Sequence, residues 1–337
     1  HRNIDLLLQQ CLKYQPKIAV VSRSEDAKGL ADSLKSAGSK VEVLWGADAL
    51  STAASDDSVD MVMAAIVGAA GLESTLSAAR AGKTLLLANK ESLVMSGDLL
   101  FREIEASGAT LIPIDSEHNA IFQCLPQNLS GQCGDSTKYV SKIALTASGG
   151  PFLDKPLTEF GDITPAEACK HPTWSMGQKI SVDSATMMNK GLEFIEASLL
   201  FGLAPHQIDL LIHPQSTIHS LVYYKDGSVL AQLGCADMRI PIAYGMAYPE
   251  RIESGAESLD LIGMGSLEFF EPDYKRFPCL KLGIDATRQG GTTPTLLNAA
   301  NEIAVAAFLG GQIKFIEIAE INEQVLSKIP CEPASSL

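Results

Sequence analysis

Between residues 4 and 114 the chain alternates short apolar runs with longer stretches of helical periodicity, and this restricts the fold more than any other feature. An apolar helical stretch reaches Tyr14 and is stopped by Pro16. Strand-like runs follow at 17–21, 41–44, 60–66, 84–88 and 109–114, with helical stretches between them. Strands joined through helices lie parallel, so the pattern predicts an N-terminal doubly wound, Rossmann-like parallel sheet in an α/β chain, with ligands beyond the carboxyl ends of its strands. Gly68-Ala-Ala-Gly71 follows one strand and opens a helix, where missing side chains serve either close approach of a ligand or close helix packing. Asn89-Lys90-Glu91 stands at the end of another strand, and Asn89 also suits the N-cap of the following helix. Gly82-Lys83-Thr84 is no P-loop: position 77 is Ser where glycine is required, and the triplet precedes a strand.

At 337 residues the chain exceeds a single core, and changes of pattern divide it at 1–114, 115–247, a Gly-, Pro- and acid-rich linker at 248–273, and 274–337. A net charge of -14 repels polyanions and argues against nucleic acid as a partner. The longest apolar run, 61–72, falls short of the ~20 residues a membrane-spanning helix needs. The seven cysteines, an odd number without C-x-x-C spacing, point to reduced thiols rather than a disulfide framework or a zinc site.

After residue 119 come longer loops over 126–137, a strand at 139–146, and a hairpin of 213–224 and 228–233 turned at Lys225-Asp226-Gly227. Two stretches concentrate the chemistry. The first, Ile114-Asp115-Ser116-Glu117-His118-Asn119, closes a strand-like run. With extended backbone continuing past Ile114, Asp115 and Glu117 share one face, and Ser116 and His118 the other. That makes half a site for a hard cation such as Mg2+ or Mn2+, although a solvated strand end has the same pattern. The second stretch, 181–193, runs into a helical pattern through Leu200. Asn189, Lys190 and Glu193 fall on one helical face, an amide, a cation and a third carboxylate together; an ordinary i, i+3 pair on a wet face accounts for the last two equally well. Ser181, Ser184 and Thr186 crowd what reads as the helix start, where free N–H groups and the macrodipole favour phosphate. Ser148-Gly149-Gly150 suits either a phosphate cradle or a plain turn. His171-Pro-Thr-Trp-Ser-Met-Gly177 reads as part of a lid over 169–179, with Trp174 and Met176 closing over a small substrate and His171 reaching its phosphate.

In family order, and over nearly the whole chain, these stretches resemble the motifs of the 1-deoxy-D-xylulose 5-phosphate reductoisomerases. The matching segments are Ala88-Asn-Lys-Glu-Ser-Leu-Val94, Asp115-Ser-Glu-His-Asn-Ala-Ile-Phe-Gln123, Ala147-Ser-Gly-Gly-Pro-Phe152, the His171 to Gly177 loop, Ser181 to Glu193, and His213-Pro-Gln-Ser-Thr-Ile-His-Ser220. The resemblance implies a central α+β catalytic domain and a C-terminal helical bundle from helices over 279–288, 294–309 and 316–329. It implies a homodimer packed through its sheets. The implied reaction rearranges a small phosphorylated sugar, 1-deoxy-D-xylulose 5-phosphate, and reduces it with NADPH to 2-C-methyl-D-erythritol 4-phosphate, an isoprenoid precursor. Asp115, Glu117 and Glu193 would then hold Mg2+ or Mn2+, and Ser116, Ser148, His171, Trp174, Ser184, Asn189 and Lys190 the substrate. Asn89, Lys90, Glu91, Gly177 and Met238 would lie by the cofactor, Met238 over the nicotinamide, and either Glu117 or Lys90 would move the hydroxyl proton. Arg2 and Asn3 align with the basic position that meets the 2'-phosphate of NADPH.

Relatives open with a glycine-rich turn for the pyrophosphate. No counterpart is present, so the expectation is that the first strand of the sheet is missing and that the C-terminal bundle is cut short. Targeting is not readable from a chain opening at His1; the resemblance implies bacterial cytoplasm or plastid stroma. Two rival readings share the same residues: a metal-dependent phosphosugar isomerase or aldolase without nicotinamide, and a binding module without turnover.

Overall fold

The computed structural model describes residues 3–126, 137–174, 176–334 and 336. Helix α1 (Ile4–Tyr14) starts where Asn3 Oδ1 accepts the Leu6 N–H at 3.0 Å, with Asp5 in the first turn. Strand β1 (Ile18–Val21) pairs in parallel with β2 (Glu42–Trp45) across α2 (Ser24–Ser36), which turns Ala27, Leu30 and Leu34 inward at helical spacing. After α3 (Ala47–Ser55), strands β3 (Met61–Ala64), β4 (Thr84–Leu87) and β5 (Thr110–Pro113) form a second parallel ladder in that order, joined through α4 (Leu72–Arg80), α5 (Lys90–Ser96) and α6 (Asp98–Ser107). Leu85, Leu86 and Leu87 of β4 are all buried, as expected of a parallel strand covered on both faces, and each contributes roughly 1.5–3 kcal/mol of burial. Strands β3, β4 and β5 end before the sequence runs that encode them, and the residues beyond serve as loops around the sheet's carboxyl edge.

The middle of the chain forms a mixed sheet of order β7-β6-β8-β9: β6 (Val140–Ala147), β7 (Ile208–Ile212), β8 (Ile218–Tyr224) and β9 (Val229–Leu233). β6 runs parallel to β7 and antiparallel to β8. Strand β7 was not foreseen from sequence, and the hairpin begins at Ile218 rather than 213. His213 sits between β7 and β8, buried, its Nδ1 2.8 Å from the Glu268 carbonyl and its Nε2 accepting the Thr217 N–H at 3.2 Å. Most of the loop expected over 126–137 lies outside the described residues.

Around this sheet lie α7 (Ser116–Cys124), α8 (Pro165–Ala168), α9 (Gln178–Ala185), α10 (Met188–Phe201) and α11 (Arg239–Ala247). The segment 248–273 is irregular apart from α12 (Leu261–Met264) and a backbone bridge between Ile212 and Phe270. Helices α13 (Pro278–Gln289), α14 (Thr293–Leu309) and α15 (Phe315–Lys328) share one core with α9, α10 and the 152–168 segment, where Phe152, Phe160, Phe308 and Phe315 meet edge to face or tilted. No helix among the described residues is long and apolar enough to cross a membrane.

Candidate active site

A cavity of about 250 Å³ opens where the carboxyl ends of β4, β5 and β6 face α10. Its charged end is built from α5, α7 and α10. Asp115 is the N-cap of α7, accepting the Ser116 N–H at 3.1 Å, and Glu117 lies in that helix's first turn. The expected extended backbone past Ile114 is therefore wrong. The sequence D-S-E ahead of a helical stretch is itself a helix-start signal, and it prevails over the strand. The two carboxylates still converge, because the cap and the first turn face the same opening.

Helix α10 supplies the third carboxylate, as the spacing predicted. Ligand oxygens of Asp115, Glu117 and Glu193 lie within 4.8 Å of one another. Two buried lysines hold them. Lys90 Nζ stands 2.5 Å from Asp115 Oδ2, 3.2 Å from Glu193 Oε1 and 2.8 Å from Asn189 Oδ1; Lys190 Nζ stands 2.9 Å from Glu117 Oε1 and also meets Glu193 Oε2. Burial alone would lower the Lys90 ammonium, but the carboxylates of Asp115, Glu193 and Glu196 outweigh it and hold Lys90 well above its ordinary range. Burial would raise Glu117. Lys190, His219, Lys90 and the Ser116 hydroxyl, which donates to Glu117 Oε2 at 2.7 Å, reverse that and hold it below the usual carboxylate range. For Glu193, burial and the charge of Glu117 win, pushing it up to about 7. Behind this cluster Glu196, 1% exposed, lies 3.3 Å from His118 Nδ1, while His118 Nε2 lies 2.9 Å from the Glu193 carbonyl. A carbonyl only accepts, so Nε2 carries the proton.

The opposite end is polar and compact. Ser148 follows β6, and its Oγ accepts the Gly150 N–H at 3.1 Å and lies 3.1 Å from His171 Nε2. His171 Nδ1 accepts the N–H groups of Thr173 and Trp174 at 3.2 and 3.0 Å, which leaves the proton on Nε2, and burial lowers its pKa. Gly150 is required: its φ is +69°, and a Cβ would fall 2.7 Å from the Ser184 carbonyl oxygen. Ser184, Asn189, Trp174 and Met176 line the cavity as expected, with Met238 and Ala88 on the wall by the parallel strands.

Several candidates lie elsewhere. Ser181, Ser184 and Thr186 belong to the last turns of α9, not to the start of α10; Ser181 Oγ donates to the Gly177 carbonyl and Thr186 Oγ1 to that of Asp183, leaving only Ser184 facing the cavity. Asn89 caps α5 and donates its amide to the Ile66 and Gly68 carbonyls. Gly71 serves close packing, since a Cβ would strike that same amide. Glu91 turns away to Lys179, at 2.9 Å. Gly177 caps α9 and Asn3 caps α1, neither lining the cavity, and Arg2 lies outside the described residues. Lining residues given no role from sequence include His219 and Ser216. His219 sits in a quoted motif without an assigned role; its ring lies 6.3 Å from Trp174. Ser216, at φ +51°, belongs to that same motif and likewise had no assigned role.

Comparison with known proteins agrees with this geometry. Family models described as 1-deoxy-D-xylulose 5-phosphate reductoisomerase, that enzyme's C-terminal domain, and DXP reductoisomerase C-terminal domain match residues 1–97, 111–201 and 233–337. The 1-deoxy-D-xylulose 5-phosphate reductoisomerases of Dechloromonas aromatica (strain RCB) and Cupriavidus pinatubonensis are 55% and 58% identical over 340 residues, covering 100% of this chain and 84% of each relative. A DOX-P reductoisomerase crystallised with NADPH, fosmidomycin and magnesium superposes with a TM-score of 0.94 at 51% identity, covering 97% of this chain and 81% of that one. The Zymomonas mobilis enzyme in complex with NADPH gives 0.91 at 48%, covering 100% and 85%. Three matching family models over a shared fold, and relatives more than half identical along its full length, place this chain in the 1-deoxy-D-xylulose 5-phosphate reductoisomerase family.

Proposed function

We propose that the chain catalyses the metal- and NADPH-dependent rearrangement and reduction of 1-deoxy-D-xylulose 5-phosphate to 2-C-methyl-D-erythritol 4-phosphate. The observation that carries this reading is the convergence of Asp115, Glu117 and Glu193, with Asn189 beside them, at one end of a cavity whose other end offers Ser148, the His171 Nε2–H and Ser184. The donor set fits a hard divalent cation: three carboxylates from two elements and no sulfur. Mg2+ or Mn2+, when bound there, supplies Lewis acidity toward the sugar oxygens. The apolar wall of Ala88 and Met238 at the carboxyl edge of the parallel strands fits a nicotinamide, and NADPH supplies the hydride.

The protein's own groups divide the remaining work. Lys90, kept protonated by the carboxylates around it, donates hydrogen bonds and cannot serve as the base. Glu117, held ionised with Lys190 and Ser116 at its two oxygens, is the group this reading assigns to accept the hydroxyl proton. Ser148, Ser184 and the neutral His171 bind the phosphate, and that remote contact orients the reacting carbons. Trp174, Met176 and His219 cover the space between the two ends and exclude water. The reading extends to a homodimer through edge strand β9, where Val229 and Leu230 are exposed, and to a cytoplasmic setting, in keeping with the six free cysteines among the described residues. Light scattering tests the dimer.

The activity test is NADPH consumption with 1-deoxy-D-xylulose 5-phosphate and Mg2+ or Mn2+, with product identified by mass spectrometry. Isomerisation or aldol cleavage without NADPH oxidation would overturn the assignment in favour of a phosphosugar isomerase or aldolase.

A further inference from the structure

The first turn of α5 is gripped from two sides. Lys90 reaches Asp115 and Glu193, whereas the next residue, Glu91, reaches Lys179 Nζ at 2.9 Å. Lys179 lies in the first turn of α9 and also meets Asp183 Oδ2 at 2.8 Å, one helical turn on. Asp183 Oδ1 accepts from Asn301 Nδ2 at 2.7 Å, and Asn301 Oδ1 from Asn322 Nδ2 at 3.2 Å. A buried polar seam thus crosses α5, α9, α14 and α15, outside the cavity. Ser184, the residue after Asp183, faces the cavity, with its carbonyl against Gly150.

We propose that Lys179 is a positioning residue: by pairing with Glu91 and Asp183 it fixes α9, and so Ser184 and the phosphate end of the cavity, against the turn that carries Lys90. The inference rests on the functional reading above for the identity of the ligand. Lys179 does not line the cavity, so it acts only through the helix it anchors. Without its charge two buried carboxylates face each other unneutralised, and α9 separates from α5; breaking a buried pair from one side is far more disruptive than the pair's net contribution suggests. Ser184 leaves Gly150 as α9 moves. The carboxylate cluster, built from α7 and α10, keeps its geometry.

The test compares Lys179→Met and Lys179→Arg with the parent in the full chain carrying Trp45→Phe, so that Trp174 is the sole tryptophan. Trp174 emission reports binding of inorganic phosphate and of a phosphonate hydroxamate, and calorimetry reports Mn2+. The Met variant should bind both phosphorus ligands about tenfold more weakly and raise KM more than it lowers kcat, with Mn2+ affinity within about twofold of the parent; the Arg variant should recover to within about threefold. Phosphorus-ligand affinity unchanged in a folded Met variant, or lost equally with Mn2+ affinity, overturns the proposal. Should the Met variant not fold, Glu91→Gln with Lys179→Met removes one charge of each sign, and parent-like affinity there overturns it equally. A parent that binds phosphate and Mn2+ but turns nothing over would instead sink the functional reading, leaving the phosphate comparison to decide this one.

Discussion

Lys190 Nζ stands 2.9 Å from Glu117 Oε1 across 73 residues of sequence, and the same ammonium meets Glu193 three residues further along its own helix. One cation thereby closes the gap between a helix start after β5 and the buried face of α10. Lys190 is almost fully enclosed and the Glu117 side chain 18% exposed, so the geometry of the contact is set mainly by packing. A carboxylate cluster organised around lysines in this way holds its shape while its charge is only partly neutralised, which suits it to capture a divalent ion.

Replacing Glu193 by Gln should therefore weaken Mn2+ binding by at least about tenfold, ~1.4 kcal/mol, with the far-UV spectrum unchanged. Isothermal calorimetry measures it. Equal Mn2+ affinity in parent and variant would mean that the three carboxylates are an ion-pair network and not a metal site.

Trp174 should report ligand binding. It lies beside His219 and contributes its backbone N–H to His171. A phosphonate hydroxamate spanning both ends of the cavity should shift its emission, whereas Trp45, 58% exposed on β2, should not respond. Single-tryptophan variants separate the two signals. A silent Trp174 at saturation would remove it from the binding site.

How much of this was legible beforehand differs by element. The parallel strands were, since a run such as Leu85-Leu86-Leu87 flanked by helical periodicity has few other solutions. The face shared by Asn189, Lys190 and Glu193 was legible for the same reason: helical spacing is local. The backbone at Asp115 was misread because strand continuation and N-cap preference compete there, and only the tertiary hand-over from β5 to α7 decides. Strand β7 was hidden because Ile208-Asp209-Leu210-Leu211-Ile212 is short, and its pairing with β6 spans more than sixty residues. The family resemblance placed both Lys90 and Glu91 by the cofactor, but their different partners were not legible: adjacent residues in a helical turn point about 100° apart, and Lys90 meets Asp115 and Glu193 while Glu91 meets Lys179.

The Glu91–Lys179 pair also sets an acid limit. Burial would raise Glu91, but Lys179 outweighs it and holds the carboxylate below its ordinary 4.5. A carboxylate with a depressed folded-state pKa contributes stability that is complete above the unfolded value and lost as pH falls through the folded one. Below about 4.5 the parent should lose this contribution progressively. The Glu91→Gln variant should be less stable near neutrality and show a shallower decline over that window in urea unfolding. Parallel stability curves for the two proteins would show that Glu91 is not coupled to folding through its charge.

The final prediction concerns the crossing that seats α10. At Gly283 a Cβ would lie 2.4 Å from the Gly191 Cα, so α10 and α13 touch backbone to backbone two positions before Glu193. Two effects of opposite sign meet at a Gly283→Ala substitution. Alanine in a helix interior is favoured over glycine by about 0.8–1 kcal/mol, while forcing a methyl group into a full contact costs about 1–3 kcal/mol. The clash is with backbone, which cannot rotate away, so the steric cost should win. The variant should lose stability, and its Mn2+ affinity should fall because α10 carries Glu193 with it. Gly29→Ala is the control: Gly29 lies inside α2 with nothing within 4 Å of its added Cβ, so only the propensity gain operates and stability should rise. If Gly283→Ala were as stabilising as Gly29→Ala in the same thermal and Mn2+ titrations, the helices would not be in backbone contact, and the seat of Glu193 would have to be sought elsewhere.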